Sequence, residues 1–331
     1  MTFEDTMMGC LLGTAVGDAL GLPAEGLSAR RQAKMFPRLD RNRLFGGRGL
    51  VSDDTEHAVL TLLALRDSQG EEARFRALMR RGLRRWFWTL PPGIGWGTLR
   101  AGLRLSMGLS RSGVNSAGNG PAMRAPIIAA WCEAHAPDRL EALLRISTEV
   151  THTDPRAFLG SLVLARLTGQ LMRKAVCKEA LLEAIDDPEC RDLVEVVFAH
   201  RGIAPQELCA VLGYRDGVSG YIYHTMAVVL GAALRTDSSF ADSVSETVRC
   251  GGDCDSTAAL VGGILGAARG PKEIPPDWFA GLRDWPLSGA KLCGLAERSS
   301  DEPAYLASLV RNLLLGPIFL VYASRRLLPP Y

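Results

Sequence analysis

The 331-residue sequence has no strong charge of either sign. Lys and Arg number 38 against 36 Asp and Glu, a formal +2, so no global polyelectrolyte partner is implied. Eight cysteines are scattered along the chain without a single C-x-x-C pair. Only Cys250 and Cys254 are close, and their spacing suits neither a zinc knuckle nor a secreted disulfide framework. A reduced, cytoplasmic protein is the expectation. The opening "MTFEDTMMGC" is acidic and lacks a basic n-region, so no signal peptide is expected either. Alternating strand runs are missing, as are fixed-period repeats and Gly/Ser or Pro-rich linkers. One run, "YLASLVRNLLLGPIFLVYASRRLL", is long enough to suggest a membrane span. Arg311 and Asn312 inside it, and Gly316-Pro317 at its middle, argue for one or two buried core helices and no membrane.

What the chain does have is helical periodicity. Stretches such as "MMGCLLGTAVGDALG", "TEHAVLTLLALRD", "KEALLEAID" and "STAALVGGILGAA" carry apolar residues at i, i+3, i+4 spacing, bounded by Pro, Gly, Asp or Ser. Length alone would allow about two domains. The missing linker and the 47% hydrophobic content favour one all-α domain over residues 1–331, a single compact multi-helix bundle. The helix after Asp255 is unusual in carrying Gly262, Gly263 and Gly266. Each interior glycine costs about 1 kcal/mol of helix stability. Close backbone packing must compensate, which places this helix at the bundle centre.

Two acidic clusters open helices. "GGDCDSTAALVGGILGA" sets Asp253 and Asp255 behind a Gly-Gly pair, and "VSDDTEHAVLTLLAL" sets Ser52, Asp53 and Asp54 at a second start. Capping explains part of this, because Ser and Asp are favoured N-caps and negative charge there is stabilising. Glu56, three residues after Asp53, even has capping-box spacing. A cap needs only one short polar residue, however, and adjacent carboxylates repel unless a cation absorbs their charge. Hard oxygen donors suit magnesium or manganese, and two divalent ions about 4 Å apart would suit this many acids. The clusters therefore predict a shared dimetal cleft.

Other stretches add polar groups. In "GTAVGDALGLPAEG", Gly17-Asp18 and Gly21 frame a helix end, Pro23 stops it, and Glu25 falls on a loop. "SRSGVNSAGNGPAMR" is a Gly/Ser/Asn loop whose backbone N–H groups can hold phosphate oxygens. "THTDPRAF" places His152 and Asp154 before a helix, and "SGYIYHTM" supplies Tyr221, either core or a stacking surface for a base. Arginines crowd "RFRALMRRGLRRWFW", as a solvated helix face or as the site of an anionic ligand or partner.

Taken in order, G-D-A-L-G-x-x-x-E, D-D-T, G-N-G-x-A-M-R, T-H, S-G-Y and G-G-D-x-D resemble the ADP-ribosylglycohydrolase family across most of the chain. The resemblance implies an α-helical bundle around two Mg2+, with Mn2+ an alternative. Its ligands would be Ser52, Asp53, Asp54, Asp253, Asp255 and Ser256. Glu25 would lie on a mobile loop over the ribose, with Asp253 and Asp54 assisting catalysis. Gly118, Asn119, Gly120 and His152 would approach the diphosphate and distal ribose, and Ser219, Gly220 and Tyr221 the nucleotide end. The implied activity is hydrolysis of the glycosidic bond between ADP-ribose and an acceptor, by a monomer. The acceptor would be an ADP-ribosylated protein, arginine-linked first and serine-linked second, with ADP-ribose-containing small molecules and nucleic acid also open. A magnesium-dependent nucleotide phosphoesterase and a non-catalytic ADP-ribose binder are the alternatives. Ser52 and Ser256 stand where the family commonly has Thr, and both keep the hydroxyl. His57 and His224 replace residues usual at those positions and mark a possible subgroup with another acceptor.

Overall fold

A computed structural model of the protein describes residues 1–39, 41–44 and 46–325. It is all-α, as the periodicity predicts: 66% helical, with almost no sheet. The strands among the described residues are two dipeptides, Leu27–Ser28 and Gly251–Gly252, paired antiparallel.

The architecture follows from one helix pair. Phe3–Gly21 and Cys254–Arg269 pack along their whole length, and most residues of both are buried. Their contact is backbone on backbone. A Cβ placed at Gly9, Gly13 or Gly17 would lie 2.1 Å from the carbonyl oxygen of Gly266, Gly262 or Ala258. No side chain fits there, so the glycines that weaken these helices in isolation are what lets them meet. At the end of the pair, a Cβ on Gly21 would lie 2.4 Å from the Asp255 Cα. The contact thus runs up to the acidic motif. Asp53–Ser68 packs on the first helix, while Ala125–His135, Pro155–Met172, Ile222–Ala233 and Phe240–Val248 surround Cys254–Arg269.

Two stretches differ from the sequence expectation. "KEALLEAID" forms only a short helix, Lys178–Leu181. Its later carbonyls are taken by side chains: Arg166 donates to Leu181 and Glu183, and Arg191 to Ile185. The second is the apolar run near the C-terminus, whose last residues, 326–328, lie outside the described set. Its described part is a single helix, Tyr305–Arg325, with Pro317 inside. It is not a buried core helix: Leu306, Leu313, Leu314 and Leu320 are exposed, while Arg311 and Asn312 are buried. The polar residues form the inward face because their partners lie there. Asn312 donates to the Thr89 carbonyl at 2.9 Å, and Arg311 reaches Glu56, Asp284 and the Val51 carbonyl.

Candidate active site

The Asp53–Ser68 helix begins under tight restraint. Ser52 is its N-cap and accepts from the Asp54 N–H at 3.3 Å. Asp18, fully buried in the last turn of the first helix, fixes the same start: its Oδ2 accepts from Ser52 N, Thr55 N and Thr55 Oγ1 at 2.8, 3.2 and 2.5 Å. One residue earlier, Val51 N donates to Asp284 Oδ2 at 2.8 Å and Val51 O accepts from Arg311 Nη2 at 2.5 Å. The capping box suggested for Asp53 and Glu56 is not formed. Glu56 instead accepts from Trp86 Nε1 at 2.6 Å and pairs with Arg311 at 3.3 Å. Ser52 and Asp18 therefore supply capping acceptors at this start, so the Asp54 carboxylate is not needed as its cap.

At the other helix start, Gly251 and Gly252 have φ of 72° and 74°, a region that L side chains rarely adopt. They are also enclosed: a Cβ on Gly252 would lie 2.1 Å from Val218 O, and one on Gly251 2.7 Å from Leu27 O. Threading between these strands brings Asp253 N to Val218 O at 2.7 Å and Gly26 N to Gly252 O at 2.7 Å. Glu25, just before Gly26, stands on a turn whose backbone is tied to the acidic motif. Asp253 occupies the N-cap position, but its side chain makes no capping bond. Its Oδ2 accepts from Asn119 Nδ2 at 2.6 Å.

The facing wall is built from three distant segments. Residues 114–119 are stitched between the other two: Val114 bridges to His152, and Gly118 to Tyr221. Asn119 N donates to Gly220 O at 3.0 Å. A Cβ on Gly118 or Gly120 would come within 3.3 or 3.2 Å of the His152 ring. These glycines leave room where side chains would fill the cleft. The open cleft so formed has a volume of about 320 Å³ and is lined by Glu25, Asp53, Asp253, Asp255 and Ser256 on one side. Gly118, Asn119, Gly120, His152 and Gly220 line the other, with Trp96 at its edge.

The acidic side concentrates buried carboxylates. Burial, reinforced by neighbouring carboxylates, pushes Asp53, Asp54 and Asp255 well above the usual carboxylate range. Burial likewise lifts Asp253, and it raises Asp18 to about 6 against the hydrogen bonds it accepts. Asp54 Oδ2 accepts from both Ser52 Oγ, at 3.3 Å, and Ser256 Oγ, at 3.1 Å, which joins the two helix starts. Asp18 Oδ1, Asp54 Oδ1 and Asp255 Oδ1 are buried without a hydrogen-bond partner among the described residues. Among the described residues no three His, Cys, Asp or Glu side chains form a ready-made cage. The donor set is nonetheless all oxygen, with orphaned carboxylate atoms whose charge a hard divalent cation would offset. The residues fit such an ion.

His152 is buried, with Nδ1 2.9 Å from Thr151 Oγ1. Burial, with the nearby Arg124 and Arg100, lowers it to about 3, so it is neutral at physiological pH. Arg124, also fully buried, bonds Ser147, Thr151 and His57.

A family model described as ADP-ribosylglycohydrolase matches residues 1–309. The chain belongs to the ADP-ribosylglycohydrolase family. It is 30% identical over 288 residues to the ADP-ribosyl-[dinitrogen reductase] glycohydrolase of Rhodospirillum rubrum, covering 84% of this chain and 90% of that protein. An uncharacterized protein of Archaeoglobus fulgidus is 31% identical over 297 residues, covering 85% and 92%. A solved structure described as an ADP-ribosylglycohydrolase-related protein complex superposes with a TM-score of 0.68 at 28% identity, covering 94% of this chain and 98% of its own. The protein is thus a glycoside-cleaving hydrolase of a family that acts on ADP-ribosylated substrates.

For this glycohydrolase, the structure brings most of the sequence-derived site residues together. Ser52 and Asp54 lie beneath the cleft, buried and joined to its wall through Ser256. Ser219 and Tyr221 are not among its lining residues: Ser219 Oγ bonds His224 Nδ1 at 2.8 Å, and Tyr221 Oη donates to Glu189 at 2.9 Å. His57 is fully buried against Trp86, outside the cleft lining, and His224 packs at a tilt against Tyr214. Sequence reading did not assign roles to Asp18, Asp284 or Arg311. Asp18 carried a usable signal, an acid inside an apolar, glycine-rich helix. Arg311 carried none that pointed to the site, since it lies beyond the family match.

Proposed function

We propose that this glycohydrolase hydrolyses the bond between ADP-ribose and a protein side chain, arginine first and serine second, with two divalent metal ions, magnesium or manganese. The observation that carries this reading is the meeting of Glu25 and the acidic cluster with Gly118–Gly120, His152 and Gly220 across one cleft. Ser52, Asp53, Asp54, Asp253, Asp255 and Ser256 are the residues that would hold the ions. When bound, such ions supply positive charge that orients the ribose hydroxyls and eases deprotonation of water. The chain does the rest. Gly118 and Gly120 leave space for the diphosphate, and neutral His152 adds a polar edge without repelling bound cations. Asp253, its Oδ2 held by Asn119, takes the proton of the attacking water as the anomeric carbon passes through an oxocarbenium-like state. Glu25, which lines the cleft, orients the sugar or protonates the leaving group. The name of the Rhodospirillum rubrum relative, which specifies dinitrogen reductase, supports a protein acceptor.

A panel of substrates tests the reading: ADP-ribosyl-arginine and ADP-ribosyl-serine peptides, ADP-ribosylated RNA and a plain nucleotide phosphodiester. Free ADP-ribose should appear fastest from the arginine peptide. Release of AMP from the phosphodiester, with no ADP-ribose from any conjugate, would make the protein a phosphoesterase.

A further inference from the structure

The arginine-rich segment singled out in the sequence plays no part in the cleft. It lies on the Glu72–Phe87 helix, where Arg81, Arg84 and Arg85 are exposed. With Arg80, Trp88 and Tyr305 they line an open groove. Some of these cations are already engaged. Arg80 donates to the Leu109 and Ser110 carbonyls, and Arg85 pairs with Glu302 at 3.3 Å. Arg81 and Arg84 have no hydrogen bond or ion pair among the described residues. In a chain of formal charge +2, this is a local concentration of charge.

The groove connects to the cleft along one helix. Trp96–Ser106 starts at the cleft, where Trp96, Gly97 and Thr98 are lining residues, and ends at the groove, lined by Leu105 and Gly108. Its outer face carries Trp96, Arg100, Leu103 and Met107, at i, i+4, i+7 and i+11, which is one stripe of a helix. All four are exposed; Trp96 is 79% and Met107 67% exposed. A helix face open to solvent normally carries polar residues. Trp, Met and Arg are the residues enriched at protein interfaces, where lysine and small polar residues are depleted.

We infer that this stripe and the arginine groove form the docking surface for the acceptor protein, engaging an acidic segment of it beside the modified side chain. The inference rests on the protein-acceptor reading above. Trp96 is the exposed edge of the cleft from which this stripe begins, so an acceptor leaving on that side lies along it. The stripe runs roughly 16 Å at about 1.5 Å per residue, and an extended peptide crosses that distance in roughly five residues. Acidic residues about five to eight positions from the modified side chain would then reach Arg81 and Arg84. The apolar stripe favours a polypeptide over a nucleic acid, whose backbone would meet phosphate-binding groups along its whole path.

The test compares Arg81→Glu/Arg84→Glu with the wild type on four substrates. They are free ADP-ribosyl-arginine, an ADP-ribosyl-arginine peptide with acids at those positions, the same peptide with glutamines there, and ADP-ribosylated RNA. The wild type should prefer the acidic peptide about tenfold in kcat/KM, with the preference falling as salt rises. The double variant should lose that preference while keeping free ADP-ribosyl-arginine within twofold, and Leu103→Ser should lower peptide turnover alone. Equal rates on the acidic and glutamine peptides in the wild type would overturn the inference. So would a preference for RNA that the double variant loses, which would assign the surface to nucleic acid. Failure of the wild type to cleave free ADP-ribosyl-arginine would count against the arginine reading instead. Docking is then decided by fluorescence anisotropy of the unmodified peptides. The acidic peptide must bind the wild type at least several-fold more tightly than the double variant, and equal binding overturns the inference.

Discussion

Asp54 accepts hydrogen bonds from Ser52 and Ser256, one from each acidic helix start, and its second oxygen is buried without a partner among the described residues. A single carboxylate therefore joins two segments about two hundred residues apart in sequence. Asp54→Asn should preserve the helix start, which Ser52 and Asp18 hold, yet lower kcat roughly 10³-fold, the scale of losing a key electrostatic element. A tenfold or smaller loss, measured as ADP-ribose release, would leave the carboxylate with only a structural role. Glu25 is expected to behave differently. It lines the cleft, and Gly26 ties its segment to Gly252. Glu25→Gln should reduce kcat by about 10²-fold or more, within the range of general acid–base catalysis, and leave magnesium affinity within a few-fold by calorimetry. Parallel collapse of both would make Glu25 part of the ion site. The paired acids and the G-N-G motif were legible in the sequence because each is a local pattern. Asp18 was not assigned, because its partners Ser52 and Thr55 come close only through tertiary packing.

The glycine-alanine composition of the Cys254–Arg269 helix announced a central, closely packed element, and the structure agrees. Sequence could not identify its partner, because the matching glycines of the first helix lie about 250 residues away and small residues alone do not specify a mate. Gly13→Ala should therefore be costly despite its higher helix propensity. The new methyl would meet a carbonyl at 2.1 Å, and such overpacking typically costs about 1–3 kcal/mol. Thermal unfolding should shift down by several degrees; an unchanged or raised Tm would mean that the helices separate freely. The C-terminal helix was the poorest expectation. The apolar run interrupted by Arg311, Asn312 and Gly316-Pro317 implied one or two buried core helices, whereas among the described residues it buries Arg311 and Asn312 and exposes several leucines. Arg311 is shared by Glu56, Asp284 and the Val51 carbonyl, immediately before the Ser52-Asp53-Asp54 motif. Arg311→Gln strands two buried carboxylates, a loss on the order of 3–5 kcal/mol. It should also weaken magnesium binding, and Arg311→Lys should restore both in part. Normal magnesium affinity in Arg311→Gln would confine the helix to a stabilising role.

At the scale of the whole molecule, the bundle concentrates carboxylates where burial disfavours their charge. Asp18, Asp53, Asp54, Asp253 and Asp255 come from three elements and converge at the end of the central helix pair. Helix capping does not require this arrangement, because Ser52 caps one start and Asp253 leaves the other uncapped by its side chain. A fold that accepts so much buried negative charge is expected to hold a cation there and to use it in cleaving the glycosidic bond. The most direct measurement strips the protein of metal and follows both ADP-ribose release from ADP-ribosyl-arginine and the calorimetric titration of Mg2+ or Mn2+. The account predicts no turnover in the stripped protein, recovery on adding either ion, and binding abolished by Asp54→Asn and Asp255→Asn. Full turnover at a metal content confirmed near zero would contradict it.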